Sequence, residues 1–103
     1  MNLADSLLTE AHSDLKESLE GLSPVYAKII FARRMEIGFS QKELSEQAGI
    51  GLKAVSRAEG GFDNLSTETY DKIFRALDLR IRDVAEAMIQ LDAAADEQAA
   101  TTL

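Results

Sequence analysis

Acidic side chains are the first candidates for chemistry, because two carboxylates held close together can act as a general acid and a general base. Glu17 and Glu20 recur at a three-residue spacing, as do Glu43 and Glu46, which places each pair on one face of a helix. Neither pair has a partnering nucleophile or histidine, and the sequence has no glycine-rich phosphate loop after a strand. We therefore expect solvated surface acids, no catalytic residue and no enzyme.

Metal and cofactor sites are not expected either. The 103-residue chain contains no cysteine and one histidine, His12, so a thiolate zinc site, a histidine-rich site and a disulfide framework are excluded. Apolar runs stay shorter than a membrane span, and the first residues lack the basic and apolar regions of a signal peptide. These observations predict a cytoplasmic protein with one compact domain and no metal, cofactor or membrane partner.

Basic side chains are the remaining candidates, although a formal net charge of -7 does not favour a polyanionic partner. The charge is unevenly distributed along the chain. Residues 1–23 and 81–103 each hold one basic and five acidic residues, whereas residues 24–80 hold nine basic and eight acidic ones. The middle is nearly neutral and carries local basic clusters at 33–34 and 53–57, so net charge alone does not exclude nucleic-acid binding.

Helices must position these side chains, since the chain has one proline and no sustained alternation of apolar and polar residues. Within residues 1–23, the apolar spacing predicts an amphipathic helix that Gly21 ends. Ser23 as a cap and Pro24 at the first helical position predict a second helix from about Pro24 to Ile37. The apolar face of the N-terminal helix consists of Leu7, Ala11, Leu15, Leu19 and Leu22.

Two short helices follow. Ser40 and Glu43 have the spacing of a capping box, which predicts a helix start, and Gly49 breaks that helix. A second short helix is expected from about Leu52 to Glu59, and Gly60-Gly61 ends it. The residues expected to hold the two helices together are Leu44, Ala48, Ile50 and Val55.

The remaining helices have clear apolar faces. Ser66 predicts a helix start, and a last helix begins near Ile81 and extends to about Leu91. Residues 92–103 are acidic and rich in alanine, and we expect this tail to fray. The expected apolar residues are Tyr70, Ile73, Phe74 and Leu77 in the first of these helices, and Val84, Ala85, Met88, Ile89 and Leu91 in the last.

Residues 33–45 (RRMEIGFSQKELS) resemble the start of a phage repressor and Cro-type (Xre) helix-turn-helix domain. Residues 49–61 are similar to its turn, recognition helix and Glu-x-Gly ending, and 65–79 are similar to its closing segment. The resemblance implies an all-α, lambda-repressor-like bundle of about five helices, here within residues 24–91. The helix in residues 1–23 is an addition to that domain.

The resemblance also implies a DNA-binding site. Gly51, Leu52, Lys53 and Arg57 match positions that present side chains to base edges. A further pair, Gln41 and Ser56, matches positions beside the DNA backbone. Without the resemblance, a second interpretation has equal weight: Lys53 and Arg57 are ordinary solvated charges on the surface. In the same interpretation, Gln41 is an ordinary surface residue near a helix cap.

A structural ion pair is implied between Arg34 and Glu59, joining the first helix of the domain to the end of the recognition helix. Other positions depart from the family pattern. Gly51 replaces the usual serine or threonine, Gly60 the usual asparagine, and Asp63 brings an acid into a loop that often carries basic phosphate contacts. These departures predict modest, salt-sensitive affinity or partial loss of DNA binding, with Asn64 as a neutral backbone contact.

Three functions remain in order of preference. The first is a DNA-binding transcriptional regulator, a repressor of its own gene, that reads double-stranded DNA with residues 52–59. The second is an antitoxin of the HigA type, which binds a toxin as well as operator DNA. The third is a helix-turn-helix that makes only protein contacts.

We also expect a homodimer, because one recognition helix discriminates only a few base pairs. Residues 81–91 are the expected interface, with residues 3–22 clasping it. The alternative is that both helices fold back on their own domain.

Overall fold

The computed structural model describes residues 21–62 and 64–101, and for 95–101 the backbone alone. Within them the chain is helical and contains no strand, so the predicted all-α fold is confirmed. The expected N-terminal helix within residues 1–20 lies outside the described residues. The five helices are α1 (Leu22–Ile37), α2 (Gln41–Ala48), α3 (Leu52–Glu59), α4 (Thr67–Ala76) and α5 (Ile81–Thr101).

The start of α1 differs from the sequence expectation. The helix begins at Leu22, after Gly21 at φ 96°, and not at Pro24. Ser23 therefore lies inside the first turn and is not the cap. Proline is tolerated throughout that turn because the first N–H groups of a helix have no acceptor within the helix. Pro24 consequently does not mark the first helical residue.

The capping box of α2 is present with both hydrogen bonds. The backbone N–H of Glu43 donates to the Ser40 hydroxyl at 3.0 Å, and the Ser40 N–H donates to Glu43 Oε1 at 3.0 Å. The helix ends at Gly49, which has φ 69° and ψ 34°. Glycine suits this left-handed conformation because it has no Cβ to clash with the backbone.

The core lies where α1, α2, α3 and α4 meet. Leu44 and Val55 are fully buried as expected, whereas Ala48 and Ile50 are half-buried at its edge. A side-chain hydrogen bond joins α1 to the end of α4: the Nε of Arg33, on α1, donates to the carbonyl of Leu77, the residue after α4, at 3.0 Å. The buried residues of this core are Ile30, Leu44, Val55, Ala58, Tyr70, Ile73 and Leu77.

The last helix, α5, begins at Ile81 as predicted but extends past Asp92 to Thr101. It packs on α1 along part of its length, and an open cavity of about 390 Å³ lies between the two helices. Ile81 is 90% exposed and Ile89 is 69% exposed, whereas Met88 and Leu91 are half-buried, and Leu91 lines this cavity. Fraying of the acidic tail stays a prediction.

Candidate nucleic-acid interface

The connection between α2 and α3 sets the angle of the two short helices. After the left-handed turn at Gly49, the N–H of Ile50 donates to the Ser45 carbonyl at 3.1 Å. Gly51 then adopts an extended conformation, φ -73° and ψ 153°, and begins α3 without a side-chain cap. A side-chain oxygen at this position would accept from the free N–H groups of the first turn, so α3 lacks one stabilising contact.

The helix α3 divides into a buried face and an accessible face. Val55 and Ala58 are 0% exposed and pack into the core. Leu52, Lys53 and Ser56 are exposed, and Arg57 is half-buried. Since positions i, i+1, i+4 and i+5 share one side of a helix, these four side chains form a single strip.

Arg34 and Glu59 join α1 to the end of α3. The guanidinium of Arg34 donates through Nε to Glu59 Oε2 at 2.5 Å and through Nη2 to Oε1 at 2.9 Å. The Arg34 side chain is 11% exposed and that of Glu59 6%. A third donor of Arg34, Nη1, contacts the Phe39 carbonyl at 2.9 Å, so one side chain also holds the loop before α2.

The hydrogen bonds to Glu59 raise the pKa of the Arg34 guanidinium above its ordinary value, and the negative charge of Glu59 acts in the same direction. Burial acts in the opposite direction and is outweighed. Arg34 thus stays cationic at neutral pH. The ion pair joins α1 to the end of α3 and so fixes the orientation of α3 relative to α1.

Gln41 contacts this ion pair. Its Nε2 donates to Glu59 Oε1 at 3.3 Å, and the side chain is half-buried at the start of α2. This contact with Glu59 does not follow from residue spacing, because the two residues lie on different helices. Because an amide nitrogen carries a second N–H, the contact leaves one donor on Gln41 for another acceptor.

Arg57 is held by the loop that follows α3. Its Nη2 donates to Asn64 Oδ1 at 2.6 Å, and its guanidinium lies over the Phe62 ring, 5.0 Å from the ring centroid. The Asn64 carbonyl oxygen is therefore engaged with Arg57. Phe62 could not be identified from the sequence, since an exposed aromatic residue after two glycines follows no helical spacing.

Charges around the accessible strip are mixed. Lys42 and Lys53 are exposed on α2 and α3, and Glu46 is an exposed acid on α2. Glu43 lies in the first turn of α2, where its carboxylate accepts the Ser40 N–H at the positive end of the helix. The strip thus contains two basic side chains, Lys53 and Arg57, but the exposed surface of α2 and α3 is not strongly basic.

Comparison with known proteins decides the family. Residues 30–84, more than half of the chain, match the model of a helix-turn-helix family. The chain belongs to the helix-turn-helix family of the phage repressor and Cro (Xre) type. The matched region includes α2, α3 and α4 completely, and members of this family are DNA-binding regulators.

No curated protein and no solved structure matches the chain. In the part of the chain that the structure describes, no helix combines the length and the apolar character that crossing a membrane requires. The matched region contains the two short helices α2 and α3 and the glycine turn that joins them. In helix-turn-helix motifs in general, the second helix lies in the major groove of DNA.

Proposed function

We propose that the protein is a sequence-specific DNA-binding regulator that inserts α3 into the major groove of double-stranded DNA. The observation that carries the proposal is the accessible strip on α3, opposite Val55 and Ala58, which are 0% exposed. A helix with its side chains is about 10 to 12 Å across, and the major groove is about 12 Å wide. Such a helix can therefore bring its exposed side chains to the base edges.

Each side chain of the strip has a distinct capacity. The fork of Arg57 can donate to O6 and N7 of one guanine, and Lys53 can reach a guanine or a phosphate. Leu52 can pack against a thymine methyl group, and Gly51 lets the backbone approach the DNA closely. Direct base readout then rests mainly on Arg57.

Contacts to the phosphates orient the motif. Ser56 supplies a hydroxyl on α3, and Gln41 supplies the N–H that its contact with Glu59 leaves available. Because Glu59 is itself fixed by Arg34, the Gln41 amide is held at the start of α2. Gln41 thus connects the buried ion pair to the DNA backbone.

As a cytoplasmic repressor of its own gene, the protein would bind DNA just upstream of that gene. Fluorescence anisotropy on this DNA, with a shuffled duplex of equal length and composition as control, tests the proposal directly. We expect binding to the upstream duplex that exceeds binding to the shuffled one and weakens as salt rises. Equal binding to both duplexes would contradict sequence-specific recognition.

Dimerisation is part of the proposal. Two copies related by a two-fold axis would place their recognition helices about 34 Å apart, in successive major grooves on one face of the DNA. The exposed isoleucines of α5, Ile81 and Ile89, support α5 as the interface, since large apolar side chains at 90% and 69% exposure gain from burial. Leu91 lies beside the cavity against α1 and Met88 is half-buried, so both offer less exposed apolar surface than the two isoleucines.

The antitoxin alternative stays a prediction. It would require a second surface that binds a toxin while α3 binds DNA. A toxin-like reading frame beside the gene, and a stable complex of the two products in gel filtration, would favour it. The DNA-binding role of α3 is common to both functions.

A further inference from the structure

The loop after α3 contacts Arg57 from two directions. The Arg57 carbon Cζ lies over the Phe62 ring, 5.0 Å from the ring centroid, and Asn64 Oδ1 accepts an N–H of Nη2 at 2.6 Å. The two contacts differ in kind. The ring face attracts the cation as a whole, and the hydrogen bond fixes the direction of one N–H group.

Phe62 is itself anchored to the helices. Its backbone N–H donates to the Arg57 carbonyl at 3.3 Å, and its carbonyl accepts from the Tyr70 hydroxyl at 3.4 Å. The first bond links the loop to the last turn of α3, and the second links it to α4. The ring is therefore supported from the backbone, although 55% of the residue is exposed.

Gly60 makes room for this ring. Its conformation, φ -80° and ψ -7°, is one that any residue adopts, so backbone geometry does not require glycine here. A Cβ at position 60 would lie 3.0 Å from Phe62 Cε2 and 3.2 Å from Cδ2, so the Phe62 ring would have to shift by a few tenths of an ångström. Glycine at position 60 thus lets the Phe62 ring pack against the end of α3.

We propose that Phe62 and Asn64, with the space left by Gly60, are positioning residues that orient Arg57 and so determine specificity at one base pair. The inference rests on the proposed function. An arginine side chain loses rotamer freedom when it binds a base, and restraining it beforehand lowers that loss. Asn64 engages one N–H of the fork and leaves the remaining in-plane donors to face O6 and N7 of a guanine.

The geometry favours positioning over competition with DNA. The Phe62 side chain has no oxygen or nitrogen atom, so its contact through the ring leaves the N–H donors of Arg57 to the acceptors of guanine. Asn64 keeps its amide N–H groups, which can donate to a phosphate beside the base. The loop therefore adds a donor toward DNA while its acceptor aligns Arg57.

The test uses a labelled duplex of about 30 base pairs, enriched by the wild-type protein from a randomised pool and long enough for two half-sites. Binding is compared with a duplex in which the Arg57-dependent G·C pair is replaced by A·T. We expect Phe62→Leu, Asn64→Ala and Gly60→Ala each to lower this discrimination about two- to fivefold. Affinity for the substituted duplex should stay unchanged in Phe62→Leu and Gly60→Ala, and Asn64→Ala should lower it only by the loss of the phosphate contact. Phe62→Tyr, which keeps the ring, should keep the discrimination.

Two further measurements separate positioning from folding. Thermal unfolding should be almost unchanged in Phe62→Leu and Asn64→Ala, because both side chains are exposed. In the absence of DNA, ¹⁵N relaxation of the Arg57 Nε–Hε group should report a rigid side chain in the wild type and a mobile one in either variant. In an Arg57→Ala background, the same substitutions should have no further effect on discrimination.

Several outcomes would overturn the inference. Equal loss on both duplexes would make Phe62 and Asn64 simple backbone contacts, and tighter binding by Asn64→Ala would mean that Asn64 competes with DNA. If discrimination between the two duplexes is lost in Arg57→Ala but kept in Phe62→Leu and Asn64→Ala, the inference is wrong and the proposed function stands. Enrichment of no sequence at all contradicts both.

Discussion

Arg34 on α1 and Glu59 at the end of α3 are joined by two hydrogen bonds, of 2.5 and 2.9 Å, between side chains that are 11% and 6% exposed. Removing one partner leaves the other charge buried without compensation. We expect Glu59→Ala and Arg34→Ala each to lower the free energy of unfolding by about 3 to 5 kcal/mol, measured by urea denaturation. For a domain of this size, such a loss would leave little folded protein.

Arg75 and Asp71 provide the matched control for the buried pair. Their ion pair on α4 has a similar separation, 2.9 Å, but the side chains are 79% and 57% exposed. Arg75→Ala should therefore change stability by at most about 1 kcal/mol. Equal losses at the two pairs would show that burial of Arg34 and Glu59 contributes little.

Arg57→Ala should weaken binding to the preferred duplex by about 1 to 3 kcal/mol and relax the preference at one base pair. The reason is the loss of a fork that donates to two acceptors of one guanine. Anisotropy titrations against duplexes with each position substituted in turn measure both effects. Arg75→Ala, which removes the same charge from α4, is the control, and an equal loss on every duplex would make Arg57 a phosphate contact.

Gly51→Ser should stabilise α3 and strengthen DNA binding. The backbone at Gly51 has an extended conformation that serine adopts, and a Cβ there meets nothing within 4 Å among the described residues. A hydroxyl would cap the first turn, and the lower entropy of the unfolded chain adds to the gain, together about 0.5 to 1 kcal/mol.

The same substitution at Gly49 provides the contrast, because its φ of 69° disfavours a side chain. Gly49→Ser should destabilise the protein by about 1 to 2 kcal/mol. Thermal unfolding of both variants measures the difference. Stabilisation at both positions would contradict the argument from backbone conformation.

Analytical ultracentrifugation at micromolar concentration tests the dimer. We expect the wild type to sediment as a dimer, and the double variant Ile81→Glu, Ile89→Glu to sediment as a monomer near 11.3 kDa. Both isoleucines are exposed in the single chain, so their replacement should not disturb its core. A wild-type monomer at this concentration would contradict the proposed dimer, and a double variant that stays dimeric would contradict the proposed interface.

Local contacts were predictable where a few neighbouring residues make them. The capping box of Ser40 and Glu43 and the left-handed turn at Gly49 follow from interactions within four residues, and the structure contains both. The predicted start of α1 at Pro24 was wrong, because the helix begins at Leu22. Proline is tolerated at any position of a first turn, and Ser23 can lie inside that turn.

The sequence by itself determined the helical class and the caps of the short helices, since these depend on periodicity and contacts along one segment. Its resemblance to a known family implied the helix-turn-helix register and the candidate residues of α3. Tertiary structure decided what those residues contact. Phe62 reaches Arg57 because Gly60 leaves space for its ring, and Gln41 reaches Glu59 from another helix. On α5, spacing marked one apolar face, but only the packing of α1 decided that Leu91 is half-buried while Ile81 is exposed. These contacts depend on how elements distant in sequence are placed relative to one another. The spacing of residues within one element carries no information on that placement.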